Sequence, residues 1–361
     1  MTLRVAQWAT GHVGLDALRG IIEHPDLELV GVRVYSDGKD GVDAGDLCGL
    51  PTTGVPASKD ADAILALKPD CVCYAATETA GIDPVVDDFC QILEAGVNVV
   101  ASTLLPLVYP PGVSPLMDAA VARIEASAQK GGATLFVTGV NPGCLLDVLP
   151  PLIAGGCRDI TSISVTEHYE DVSWYKEGSL ARELFGVSLT PEAAEAMHDV
   201  RLMIMSEYFG CALKLMAHGL GTEIGDITTT FEPVYATEPF LLNDLKVEAG
   251  TIGAAHAQLT GQAGGTTLTY HEYVSGSASV PRPGWPKPPK GGGGYVIDIA
   301  GTPDVHVEIS FGRHGALAMA DAFAFTSNRL VNAIPSVCAA TPGLSPFLAI
   351  NRDVAGRVMS A

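Results

Sequence analysis

The sequence predicts an α/β chain with an amino-terminal doubly wound parallel sheet of the Rossmann type and a second α+β domain holding a mixed or antiparallel sheet. Three observations carry this. The chain opens on an apolar strand that runs into Ala9-Thr10-Gly11-His12-Val13-Gly14 and then an apolar-periodic helical stretch, 15–22. Strand and helix patterns alternate as far as about residue 150, the mark of a parallel sheet covered on both faces. From Asp159 onward strand patterns follow one another with few helices between them.

The opening turn is the expected dinucleotide site. Small residues are needed where backbone approaches a pyrophosphate, and the free N–H groups of the following helix start attract an anion. Gly11 and Gly14 fit the second and third glycines of a G-x-G-x-x-G turn and Ala9 stands where the first belongs; Thr10, His12 and Val13 complete the stretch.

Residues 27–35 read as the second strand, after which Ser36, Asp37 and Lys39 lie where the adenosine ribose would be. An acidic residue there selects a free 2′-hydroxyl, and hydroxyl or basic groups accept a 2′-phosphate. Ser36 comes first after the strand and Lys39 supports it, so NADP is the expected cofactor, with NAD left open by Asp37. Next come a helix at 60–67, a strand at 71–76, a helix at 84–94, a strand at 97–101, a helix at 115–129 and a strand at 134–138. Ligands in such sheets bind beyond the carboxyl ends of the strands. Thr77 and Glu78, Ser102 and Thr103, and Asn141 in Gly139-Val140-Asn141-Pro142-Gly143 are therefore expected around one crevice. The dinucleotide domain is taken as 1–150.

A substrate domain follows at 151–315, beginning with a period-two strand, 160–169. A helical region at 191–220 precedes strands near 228–234, 254–260, 266–274, 295–300 and 305–311. The stretch 275–294 is too rich in Pro and Gly for regular structure and reads as a long loop, in which Trp285 can close over an apolar ligand. Residues 316–333 read as a long helix broken before Pro335, followed by a further helix and tail to 361.

Reducing a carbonyl needs a proton donor, and the richest supply is Glu167-His168-Tyr169-Glu170-Asp171 with Tyr175 nearby. Strand periodicity puts Glu167, Tyr169 and Asp171 on one face and His168 and Glu170 on the other. Tyr169 is the candidate donor, Asp171 its orienting or substrate-binding partner and His271 a second candidate; polar residues satisfied at a domain junction are the alternative account of each. Leu105, Pro106, Glu167, His168, Tyr175 and Trp285 are the candidate substrate pocket.

The bulk composition narrows the setting. With 21 basic against 41 acidic residues and a net charge of −20, neither nucleic acid nor an anionic membrane is an expected partner. Eight cysteines without a C-x-x-C pair, and nine histidines without ligand spacing, point to reduced core thiols and no metal. No signal-peptide pattern or membrane-length apolar run is present, so the expectation is a cytoplasmic homodimer acting on a small molecule.

The segments Gln7-Trp8-Ala9-Thr10-Gly11-His12-Val13-Gly14, Gly139-Val140-Asn141-Pro142-Gly143, Glu170-Asp171-Val172-Ser173 and Val331-Asn332-Ala333-Ile334-Pro335 together resemble the 2,4-diaminopentanoate dehydrogenases and native amine dehydrogenases, whose amino-terminal domain is like that of dihydrodipicolinate reductase. The resemblance implies hydride transfer between a nicotinamide and a carbon bearing nitrogen or oxygen. It also implies a cofactor across the Rossmann crevice, a substrate between the domains and a carboxy-terminal helix, within 316–361, that returns to the first domain. One departure matters. Such enzymes tend to read S-T-x-E-E-L-x-Y-P after the fourth strand, whereas this chain has Ser102-Thr103-Leu104-Leu105-Pro106-Leu107-Val108-Tyr109-Pro110. Leu105 and Pro106 can neither hold an ammonium ion nor relay protons, so free ammonia is not the expected co-substrate. The expectation is an NADPH-dependent oxidoreductase for a C=O or C=N carbon of a largely apolar small molecule. A nucleotide-binding redox sensor or silent homologue, and a true amine dehydrogenase using another acid, are the alternatives.

Overall fold

The computed structural model describes residues 2–169, 184–242, 245–277, 279–282, 284–289, 293–311 and 318–345. The chain divides into two compact units, Met1–Gly143 joined by the chain from Phe323 onward, and Cys144–Ala322.

In the first unit, β1 (Leu3–Trp8), β2 (Leu27–Arg33), β3 (Ala57–Ser58), β4 (Cys71–Tyr74), β5 (Asn98–Ala101) and β6 (Thr134–Val137) form one sheet with the edge strand Gly343–Leu344. The order is Gly343–Leu344, β6, β5, β4, β1, β2, β3, and every pair is parallel. Cys71, Val72, Cys73 and Tyr74 are all buried, as a strand covered on both faces requires. The first helix, His12–Glu23, buries Gly14, Ala17, Leu18 and Ile21, the three-and-four spacing of one helical face.

The carboxy-terminal helix corrects the expected break. It runs Ala318–Cys338 with Pro335 inside it. A proline deletes one backbone hydrogen bond and costs about 3 kcal/mol in a helix interior. Here Leu330, Val331, Ala333, Ile334 and Val337 are buried on both sides of it, and that packing outweighs the loss. Thr326 Oγ1 accepts from Val140 N at 3.2 Å and Ser327 Oγ donates to Asp16, tying the helix from Phe323 onward to the first unit. The strand Gly343–Leu344 that follows was not expected, since two residues carry no period.

The second unit contains β7 (Arg158–Tyr169), β8 (Thr228–Tyr235), the ribbon strands β9 (Phe240–Leu242) and β10 (Leu245–Val247), β11 (Ile252–Ala263), β12 (Thr266–Ser275), β13 (Gly293–Thr302) and β14 (Val305–Ser310). Its main sheet has the order β14-β13-β7-β12-β11-β8; β7 and β12 are parallel and the other pairs antiparallel. The predicted helical region is two helices, Pro191–Ala196 and His198–Gly219, the first capped by Thr190 Oγ1 accepting from Ala193 N. Phe209 of the longer helix packs on Tyr270 of β12 with ring centroids 5.1 Å apart. This marks the helix-covered face of the sheet, where Ile163, Val165, Leu268 and Tyr270 are buried. No helix among the described residues is long and apolar enough to cross a membrane.

Candidate functional site

The turn after β1 distinguishes its small residues by what surrounds them. Ala9 has φ 72°, the left-handed region that costs a non-glycine residue about 1–2 kcal/mol. Gln7 Nε2 donates to its carbonyl at 2.9 Å. A Cβ on Gly14 would stand 2.3 Å from that same Ala9 oxygen, so the fold itself demands glycine there. Gly11 is different. A Cβ on it meets nothing within 4 Å, and its φ of −77° suits any residue. His12 is exposed and stacks on Phe323 at 5.4 Å, and Val13 is half-buried. The helix beginning at His12 has no side-chain cap from Gly11 and no acidic residue in its first turn, which leaves its start suited to an anion.

A cavity of about 530 Å³ opens on this turn. Ala9, Thr10, Gly11, Ser36, Lys39 and Thr77 line it. Lys39 Nζ donates to the Thr10 carbonyl at 2.7 Å and to Thr10 Oγ1 at 3.0 Å. Asp37 instead pairs with Lys59 at the surface, which holds its carboxyl below the usual range. The remaining strand-end residues do not line this cavity and have other bonding partners. Glu78 accepts from Leu104 N, Thr103 Oγ1 donates to the Ala76 carbonyl at 2.6 Å, and Ser102 N donates to the Tyr74 carbonyl at 3.1 Å. These bonds tie the ends of β4 and β5 together. Asn141 is half-buried and joined to Pro142 by a cis peptide. Leu105 and Pro106 open the short 3-10 turn Leu105–Val108, with Pro106 buried.

Another wall of the cavity is built from Tyr35, Tyr74 and Asp88. Tyr74 Oη donates to Asp88 Oδ2 at 2.8 Å, Tyr35 Oη at 3.0 Å, and Trp8 Nε1 at 3.3 Å. Burial, with the Asp88 charge among the lesser causes, pushes both phenol pKa values up, so both stay protonated donors.

In the second unit His168, Tyr273 and His256 are register partners across β7, β12 and β11. Their rings stack in a row, with centroids 5.2 and 4.2 Å apart, and Trp285 meets Tyr273 edge-on at 4.9 Å. His168, Tyr273, Arg282, Trp285 and Lys287 line a cavity of about 180 Å³. His168 is buried and among the described residues its Nε2 has no hydrogen-bond partner; burial, then the Arg282 charge, lowers its pKa to about 4 and keeps the ring neutral. His271 does not line this cavity. Its Nδ1 lies 3.1 Å from His256 Nε2, and burial followed by the neighbouring His256 lowers its pKa to about 4.

Glu167 faces away from His168, as strand alternation requires. It accepts from Tyr270 Oη at 2.6 Å and from Tyr295 Oη, on the helix-covered face, and lines neither cavity. Tyr169 ends β7; its side chain, Asp171 and Tyr175 lie outside the described residues.

Residues 144–358 match the model of the 2,4-diaminopentanoate dehydrogenase C-terminal domain family. The chain belongs to this family. It is 32% identical over 358 residues to an amine dehydrogenase of Streptomyces virginiae, covering 97% of each chain. A 2,4-diaminopentanoate dehydrogenase of Acetoanaerobium sticklandii is 26% identical over 268 residues, 71% of this chain and 67% of that one. The solved amine dehydrogenase of Mycobacterium smegmatis shares the fold with a TM-score of 0.77 at 22% identity, covering 98% of this chain and 97% of that one. This dehydrogenase is an NAD(P)-dependent oxidoreductase with a nucleotide-binding Rossmann unit.

Sequence reasoning missed Asp88 and its donors in this dehydrogenase. One signal was available: Trp8 and Tyr74 close β1 and β4 at paired register positions, and Tyr35 stands just past β2. Aromatic residues at three neighbouring strand ends mark a wall beyond the sheet's carboxyl edge.

Proposed function

We propose that this oxidoreductase uses NADPH in preference to NADH and acts at a C=O or C=N carbon of a largely apolar small molecule. The observation that carries the cofactor half is Gly11: neither its backbone conformation nor any described neighbour requires glycine there, and it lines the cavity at an uncapped helix start, where open space suits a ligand. The backbone from Ala9 to Gly11 and the uncapped helix start suit a pyrophosphate in that space. A bound nicotinamide supplies or accepts a hydride. Ser36 and Lys39 line the cavity next to β2, while Asp37, the residue suited to a 2′-hydroxyl, is bonded to Lys59.

The cofactor choice is tested by fluorescence titration with NADPH and NADH. NADPH is expected to bind more tightly, and Lys39→Ala to weaken NADPH by about tenfold while weakening NADH less, since one charge-assisted contact to phosphate is lost. Equal losses for the two nucleotides would count against the assignment.

On the substrate side, His168 is the group we assign to the substrate's oxygen or nitrogen. A neutral buried imidazole can donate a hydrogen bond to a polarised C=O or C=N group without itself needing to ionise, and Tyr273 and Trp285 give the cavity apolar walls. Loss of NADPH absorbance on carbonyls and cyclic imines, reduced in His168→Ala, is the corresponding assay.

A second reading, a true amine dehydrogenase, is favoured by Glu78. Its carboxylate meets the backbone N–H of Leu104, directly before the positions where Leu105 and Pro106 replace the acids of the family pattern. In that reading Glu78→Gln removes ammonia-dependent turnover and leaves NADPH affinity within about twofold. Turnover retained in the variant would exclude Glu78 as the acid.

A further inference from the structure

Among the described residues Asp88 is the only acidic one lining the 530 Å³ cavity. A carboxylate there repels the phosphates of a dinucleotide, so it must face a part of the ligand that donates hydrogen bonds. Its two oxygens are not equivalent. Tyr35 Oη and Tyr74 Oη donate to Oδ2, as does Trp8 Nε1, whose N–H is shared with Tyr35 Oη at 3.0 Å, and among the described residues none donates to Oδ1. Three donors from β1, β4 and the segment after β2 thus fix the rotation of the carboxylate and leave Oδ1 as the acceptor for the cavity's contents. Apolar side chains line the same cavity: Ala75, Ala76, Ala80, Pro84 and Val85, with the rings of Tyr35 and Tyr74. The ribose end of a dinucleotide belongs beside Ser36, so this wall suits its base.

We infer that Asp88 selects adenine among purines by accepting a hydrogen bond from the base's 6-amino group on Oδ1. The inference rests on the reading that this cavity holds the adenosine end of the cofactor. It assigns to Asp88 a specificity role for the nucleotide and no part in the chemical step. Hypoxanthine carries an acceptor oxygen at position 6 in place of the amine, and that oxygen is repelled by the fixed carboxylate.

The test is a fluorescence titration of the full chain with NADPH and with its reduced hypoxanthine analogue. The wild type is expected to bind NADPH about tenfold more tightly, the worth of one charge-assisted hydrogen bond. In Asp88→Asn the three donors hold the amide oxygen in the place of Oδ2, which puts the amide nitrogen where Oδ1 was. That nitrogen donates to the hypoxanthine oxygen, so the preference is expected to shrink to unity or reverse. Equal binding of the two nucleotides by the wild type, or an unchanged ratio in a variant that melts like the wild type, overturns the inference while NADPH binding itself stands. If neither nucleotide binds, the reading of the cavity falls with it. Should Asp88→Asn fail to fold, competition on the wild type by adenosine 2′,5′-bisphosphate against its inosine counterpart decides the matter, with a tenfold advantage for adenosine expected and parity overturning.

Discussion

Gly11→Ala is expected to melt at the same temperature as the wild type and to lose about a hundredfold in NADPH affinity. The added methyl enters open space in the protein, so the fold bears no penalty. In the complex the same methyl occupies the place where a pyrophosphate contacts the backbone, and displacing that contact forfeits one or two charge-assisted hydrogen bonds, about 2–3 kcal/mol. Gly14→Ala is expected to behave in the opposite way. Its Cβ would lie 2.3 Å from the Ala9 carbonyl oxygen, a backbone atom held by Gln7 Nε2, and the strain of opening that contact is of order 1–3 kcal/mol. Melting curves with and without NADPH separate the two: Gly11→Ala loses the ligand-induced rise, and Gly14→Ala starts lower. A Gly11→Ala protein that binds NADPH normally would remove the turn from the cofactor site.

These two glycines also show how far the sequence could be read. Their positions after an apolar strand and at a helix start identified the turn and the fold class, because strand and helix periods are local. Their different duties were not legible, since each depends on what the folded chain places around the missing Cβ. The same limit applies to β7. Alternation alone put Glu167 and His168 on opposite faces, but which face is covered depends on His198–Gly219 and on pairing with β12, about a hundred residues away. The aromatic row of His168, Tyr273 and His256 exists only in that register. Asp88 was hidden for a related reason. On its own helix, Ile82–Glu94, it reads as one more exposed acid, and only the sheet order brings Trp8, Tyr35 and Tyr74 to it. Pro335 misled because local propensity opposes a continuous helix there, while a row of buried side chains overrides it.

Glu272→Gln is expected to stabilise the protein, and the gain is expected to grow with pH. Glu272 on β12 stands opposite Glu167 on β7, and both are buried on the helix-covered face. Tyr270 and Tyr295 donate to Glu167, whereas among the described residues no group donates to Glu272 Oε2. Burial first, and the Glu167 charge second, raise the Glu272 pKa well above its ordinary 4.5, so the folded state keeps this side chain protonated where the unfolded chain has released its proton. The sign follows from proton uptake: between 4.5 and the raised value the native state binds the extra proton, and stability is lost as pH rises through that interval. Below the ordinary value both states are protonated and the penalty vanishes. A glutamine keeps the shape and a donor for Glu167 without titrating, so wild type and variant should share denaturation midpoints near the acid end of that interval. At pH 8 the variant should lead, because holding the proton through that interval costs the wild type about 1.4 kcal/mol for each pH unit and costs the glutamine nothing. Parallel stability curves from pH 5 to pH 8 would show that the two carboxyls do not share this buried environment in solution.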